Sequence, residues 1–253
     1  MKKFIITFLL FLITAGSGCT LSKTTQTKAT LPTENFVKII RKLEILDCEK
    51  IKNSPCVPSQ FYSSASGLSL GSMGQDKGSI IITAGHICDS GISEETLKLV
   101  KTYKVTISVI SVSGEEFLSS VLISTDVSKT KRDLCLLKVP DLETKPVKIA
   151  TKDPKIGDEL YNIAAPRGVF HPPTVPIFKG IFSGPVDSTN VLATIPAAGG
   201  SSGSPVLNEK GELVGILFAA VPEFPNISLS SNRVSTVSFI LEGVRILKSE
   251  AKN

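Results

Sequence analysis

Histidine is scarce in this chain: 253 residues hold two, His86 and His171. Any acid–base chemistry that uses an imidazole must choose between them. Cysteine is also sparse, at five residues, and no two are spaced as C-x-x-C. The zinc-finger spacings are therefore absent, and neither a metal site nor a cofactor is expected. The formal charge of +5 is mild and comes without a dense basic block. The cluster at Lys129 to Arg132 reads as a solvated loop, and nucleic acid is not an expected partner. The N-terminal apolar run, Phe4 to Ala15, is short for a bilayer-spanning helix.

What that run does resemble is the core of an export signal. Met1-Lys2-Lys3 supplies the positive start, and 1–18 reads as the signal peptide. Gly16-Ser17-Gly18 then precedes Cys19. Small residues before a cysteine resemble a bacterial lipoprotein cleavage site, with Gly16 standing where such sites prefer Leu. The expectation is an exported protein attached to a membrane through lipidated Cys19, with plain secretion as the alternative. Loss of Lys2 and Lys3 takes the formal charge from +5 to +3. Four cysteines then remain: Cys48, Cys56, Cys88 and Cys135. In an exported protein they allow three pairings. Cys48 and Cys56 flank a short loop and lie close along the chain, whereas Cys88 and Cys135 could equally be buried free thiols.

The mature chain is long enough to bury a core as one large domain or two small lobes. Residues 19–33 read as a polar tether and 34–253 as the folded domain. Glu34 to Leu46 places Phe36, Ile40 and Leu43 on one helical face, so an N-terminal amphipathic helix is expected. From Phe61 onward the texture is that of short strands: Gly67 to Ser72, Gly78 to Thr83, Tyr103 to Val112, Phe117 to Ile123 and Leu134 to Val139. A brief helix is expected over Ser93 to Val100. Past a polar linker near 141–155, further strands are expected at Glu159 to Ala164, Val175 to Phe182, Val191 to Ile195, Pro205 to Leu207 and Leu213 to Ala219. Ser238 to Lys248 has helical spacing and reads as a closing helix. Recurring short strands with turn residues between them point to an all-β barrel architecture.

Three stretches stand out chemically. His86 closes Thr83-Ala84-Gly85-His86, directly after an apolar strand. Asp133 opens the buried run Leu134 to Val139, where an ionised carboxylate needs partners. Ser202 lies in Gly199-Gly200-Ser201-Ser202-Gly203-Ser204-Pro205, a loop of small residues that allows close backbone approach. A serine nucleophile needs a base within reach and a third group to orient that base. The chain supplies these in the order His86, Asp133, Ser202. His171, in a Pro-rich loop, reads as a surface residue. Gly199 to Gly203 also satisfies the G-x-S-x-G elbow with Ser201 as nucleophile, but that fold needs a histidine after the serine, and none follows.

Taken as an ordered set, the boxes resemble the chymotrypsin-like serine peptidases, most closely the bacterial HtrA-type branch. Thr83 to His86 is similar to the T-A-x-H box, Asp133 to Leu137 to D-[IL]-A-[LV]-[LI], and Gly200 to Pro205 to G-[DN]-S-G-G-P. Gly211 to Ile216 is similar to that branch's following strand. The resemblance implies two six-stranded antiparallel β-barrels, joined here by the N-terminal and C-terminal helices. It implies a serine endopeptidase acting on proteins or peptides, with Ser202 as nucleophile, His86 as base and Asp133 orienting His86. The backbone N–H groups of Gly200 and Ser202 would form the oxyanion hole. Pro196, Ala197 and Ala198 would wall the pocket opposite Phe218, Ala219 and Ala220, giving a preference for a small or apolar residue before the scissile bond. Ser201 and Ser204 depart from the pattern, and Ser204 adds a side chain where the family has glycine. The alternatives are a catalytically inactive homologue that binds peptides or proteins as a lipoprotein, and a structural lipoprotein whose Gly/Ser loop is only a turn.

Overall fold

The computed structural model describes residues 30–48, 59–72, 78–92, 94–125 and 130–250. The expected signal peptide, Cys19, Cys56 and Ser93 lie outside them. Twelve strands form two closed antiparallel barrels. In the first, β1 (Phe36–Cys48), β2 (Ser59–Ser69), β3 (Ser79–Thr83), β4 (Val100–Ser111), β5 (Glu116–Ser124) and β6 (Cys135–Val139) run in the order β1-β2-β3-β6-β5-β4. In the second, β7 (Glu159–Ile163), β8 (Ile177–Pro185), β9 (Asn190–Ala193), β10 (Pro205–Asn208), β11 (Leu213–Val221) and β12 (Phe224–Ser231) run β10-β11-β12-β9-β8-β7. A short helix, α1 (Glu94–Leu97), precedes β4, and α2 (Arg233–Glu250) ends the fold. None of the described helices is long and apolar enough to cross a membrane.

The expected N-terminal helix is a strand. Only Thr33–Asn35 makes a helical turn, and Phe36 then begins the 13-residue β1. Helical and strand periods coincide in this stretch, because Val37, Ile39 and Leu43 also alternate. β-Branched Val37, Ile39, Ile40 and Ile45 suit a pleated surface. Pairing decides the outcome: β1 bonds to β2 on one side and to β4 on the other, which closes the barrel. Val37, Ile39 and Leu43 all turn into protein, at 1%, 0% and 7% exposure.

Apolar residues gather in three clusters. One fills the first barrel around Ile39, Ile81, Val109 and Leu137. Another fills the second around Leu160, Ile195, Val206 and Leu217. The largest lies between them, where Leu68, Ile82 and Leu136 of the first barrel meet Ile163, Leu207 and Ile216 of the second. Each such side chain, fully buried, contributes about 1.5–3 kcal/mol.

The closing helix α2 caps this middle cluster with Phe239, Ile240 and Leu247. It begins at Arg233 rather than near Ser238, because Asn232 caps it: Asn232 Oδ1 accepts from Ser235 N at 2.7 Å. β12 escapes a sequence reading because its inward positions are polar. Ser228 and Ser230 are buried where apolar residues would be expected.

Candidate active site

Gly85–Ile87 forms a single 3₁₀ turn after the fully buried β3, with Gly85 and Ile87 themselves buried. The turn lifts His86 out of the strand end, leaving its side chain 41% exposed. Asp133 lies just before β6 and is 6% exposed. Both of its carboxylate oxygens face His86: Oδ1 accepts from the His86 backbone N–H and Oδ2 meets His86 Nδ1, each at 2.7 Å. A carboxylate only accepts, so Nδ1 carries the proton and Nε2 of the neutral ring is left as an acceptor. Gly85 is required here, since a Cβ would lie 2.9 Å from Asp133 Oδ1 and from Leu134 N. His171, by contrast, is exposed in a loop bridged to Thr174.

Cys88 and Cys135, left open by the sequence, form a disulfide. Cys48 is disulfide-bonded as well. No cluster of three His, Cys, Asp or Glu suited to a metal is found among the described residues.

The Ser202 loop comes from the second barrel but is held partly by the first. Ser66 of β2 donates its N–H to Ser202 O and its hydroxyl to Gly200 O, both at 2.8 Å. Thr83 in turn donates its hydroxyl to Ser66 O at 2.8 Å. On the other side, the Arg167 N–H donates to Gly199 O at 2.5 Å. Arg167 adopts the left-handed region to do so, with φ of 51°. The C=O and N–H of a trans peptide point in opposite directions, so this bond points the Gly200 N–H away from Arg167. The bond from Ser204 N to Ser201 O, at 3.0 Å, turns the Ser202 N–H in the same manner. Neither the Gly200 nor the Ser202 N–H finds an acceptor among the described residues.

Ser202 is half-buried, and its hydroxyl donates to Phe218 O at 3.3 Å, not to His86. Ser201 is 1% exposed and its Oγ accepts from Ala198 N at 3.2 Å. That places Ser201 inside the loop and away from solvent. Ser204 is fully buried, and its Oγ accepts from Asn162 Nδ2 at 2.7 Å. The extra side chain is thus absorbed by a partner on β7. Asn162 was not legible as a site residue, because nothing local in Tyr161-Asn162-Ile163 marks it.

Beside Ser202 lies a cavity of about 470 Å³ lined by Ala197, Ala198, Phe218, Ala219, Ala220 and Arg167, among others. Pro196 is not among its lining residues, and Arg167 is the charged residue that sequence reasoning did not place there. No acidic side chain lines it among the described residues.

Residues 65–216 match the family model described as the trypsin-like peptidase domain. No curated protein matches the chain. Solved structures similar to it include the serine endoprotease from Yersinia pestis, at TM-score 0.59 and 19% identity over 84% of this chain. The Rv3671c protease from M. tuberculosis in its active form is similar at TM-score 0.57 and 16% identity, over 81% of this chain and 79% of that one. At these identities the likeness is one of fold. The chain spans 64% of the length of the Yersinia pestis structure.

Proposed function

This chain belongs to the trypsin-like peptidase domain family, and on that premise we propose that it is a serine endopeptidase working through a His86–Asp133–Ser202 triad and an acyl-enzyme. The observation that carries the reading is the two-point clasp between Asp133 and His86, at 2.7 Å on both oxygens. It sets the imidazole in the tautomer whose Nε2 can receive a proton.

The mechanism requires the Ser202 hydroxyl to exchange its bond with Phe218 O for one with His86 Nε2. Ser202 Oγ attacks the peptide carbonyl as Nε2 takes its proton. The oxyanion forms opposite the outward N–H groups of Gly200 and Ser202, each such donor being worth about 2.7–4 kcal/mol in the transition state. His86 returns the proton to the leaving amine, which departs. Water, activated by His86 in the same manner, then releases the acyl group from Ser202. Asp133 stays ionised throughout and stabilises the imidazolium.

The alanine-lined cavity supports a small or apolar residue before the scissile bond, and Arg167 beside it disfavours Lys or Arg. We propose further that residues 1–18 direct export and that Cys19 carries lipid. Detergent partitioning lost in Cys19→Ala supports the anchor; partitioning unchanged removes it.

The one observation on the side of an inactive homologue is the bond between Ser202 and Phe218. A serine-directed fluorophosphonate decides the matter. Wild-type protein and Ser201→Ala should label, and Ser202→Ala should not. No labelling of wild type would establish the inactive homologue, and labelling that survives Ser202→Ala but not Ser201→Ala would move the nucleophile.

A further inference from the structure

His86 and Asp133 lie just beyond the end of a β-ladder. β3 and β6 pair from Ser79 opposite Val139 to Thr83 opposite Cys135, and the register stops there. Past that rung the two strands share no ladder pairing. His86 then sits on a single 3₁₀ turn whose N-terminus has no side-chain cap, held by the bonds from Ile87 N to Ala84 O, from Cys88 N to Gly85 O and from the Ser124 hydroxyl to Gly85 O, with Ile87 buried in the first-barrel core. A turn of this size has little intrinsic persistence.

The disulfide is placed at this junction. Cys88 follows His86 by two residues, and Cys135 follows Asp133 by two. The His86–Asp133 hydrogen bond and the Cys88–Cys135 bond therefore span the same sequence separation of 47. They form two parallel ties between the same two segments, one covalent. Cys135 is fully buried at the end of the ladder, which makes it a fixed anchor, and Cys88 is half-buried on the turn.

We propose that the Cys88–Cys135 disulfide is a positioning element that holds His86 against Asp133, so that turnover depends on its oxidation. This rests on the triad reading above. A dithiol would open it by attack of a thiolate on Cys88 Sγ, the sulfur nearer solvent, with Cys135 leaving as thiolate. The mixed disulfide resolves as the reagent closes on itself, and the protein gains two electrons and two protons as two thiols. The turn then loses its anchor, and His86 drifts relative to Asp133. Displacements near 1 Å in such an arrangement cost on the order of 10²-fold in rate. The substrate cavity is lined by second-barrel residues and contains neither cysteine, so half-saturation should change far less than the rate.

The test compares wild type with Cys88→Ala/Cys135→Ala. One readout is the fluorophosphonate reaction, resolved into its maximal rate and its half-saturating concentration. The other is the low-field proton NMR signal of Nδ1–H held against Asp133 Oδ2, which needs no peptide hydrolysis. In the double variant the maximal rate should fall roughly 10–100-fold, with half-saturation within about twofold and the low-field signal lost to exchange. Dithiothreitol should slow wild type to the same degree and leave the double variant unchanged, which separates this disulfide from the one at Cys48. Where the double variant fails to fold, wild type folded in the oxidised state and then reduced gives the same comparison, with strand circular dichroism retained. Wild-type rate and low-field signal in the double variant would overturn the proposal, as would dithiothreitol slowing both proteins equally. If wild type shows no labelling at all, it is the triad reading that fails, and the NMR signal alone decides the disulfide's role.

Discussion

Ser66, in the first barrel, donates its hydroxyl to the carbonyl of Gly200, in the second, at 2.8 Å. The same oxygen accepts the Ala165 N–H at 3.0 Å. One fully buried side chain thus joins β2, the segment after β7 and the Ser202 loop. Ser66→Ala would leave a buried N–H and a buried carbonyl unpaired, at a cost of about 1–3 kcal/mol. The expected outcome is an unfolding midpoint lowered accordingly in urea, together with slower fluorophosphonate labelling. Unchanged labelling would show that Ser66 supports the fold without supporting the loop.

Asn162 pins the same loop from β7, donating to Ser204 Oγ at 2.7 Å and to Pro205 O at 2.9 Å. Its own Oδ1 is buried without a partner among the described residues, which offsets part of the gain. Asn162→Ala should therefore destabilise by only about 1–2 kcal/mol. Asn162→Asp buries a charge there and should cost more. Chemical denaturation of the two variants gives the order, and the reverse order would refute this account.

Gly200 has φ of +96°, and a Cβ at this position would lie 2.6 Å from Ala165 O. Neither the conformation nor the space suits a side chain. Gly200→Ala should rotate the peptide that carries the outward N–H and reduce labelling by about 10²-fold or more, the scale of one lost oxyanion donor. Labelling at the wild-type rate would argue against that N–H as a donor to the oxyanion.

Asp133→Asn keeps the shape of the clasp but replaces an acceptor with a donor on one side. The imidazole then loses the partner that selects its tautomer. A fall of roughly 10⁴-fold in turnover is the expected scale. Retention of even a tenth of the wild-type rate would remove Asp133 from the triad.

Asp187 lies in the β8–β9 turn, where hydrogen bonds from the Thr189 backbone N–H and hydroxyl, and from Asn190, lower its pKa from 3.8 to about 2. A carboxyl whose folded pKa is depressed stabilises the fold above its unfolded value and loses that contribution as pH falls through the folded one. Stability should therefore slope downward between about pH 4 and pH 2. Asp187→Asn should flatten that part of the curve in acid titrations followed by thermal melting.

Some of this was legible in the sequence because the signal was local. Thr83 to His86, Asp133 to Leu137 and the Gly/Ser loop each announce themselves within a few residues, and so do most of the strands. The rest depends on partners far along the chain. β1 satisfied helical and strand spacing together, and only its two neighbours chose between them. Cys88 and Cys135 become partners through the β3–β6 register, which no spacing rule exposes. Ser204 looked like an intrusion because its acceptor role is met by Asn162, 42 residues away. Arg167 reached the cavity by a left-handed backbone that its side chain does not advertise.

The division of the site between barrels bears on how the protein is made. Ribosomes deliver the proposed base, His86, and its carboxylate, Asp133, first, on the barrel that does not carry Ser202. Ser202 arrives later, on the second barrel, in a loop held partly by Ser66 of the first. Neither half by itself holds all three residues of the proposed triad. In the proposed mechanism the chain therefore passes through synthesis without a cutting edge, and acquires one in the single step that docks its two halves.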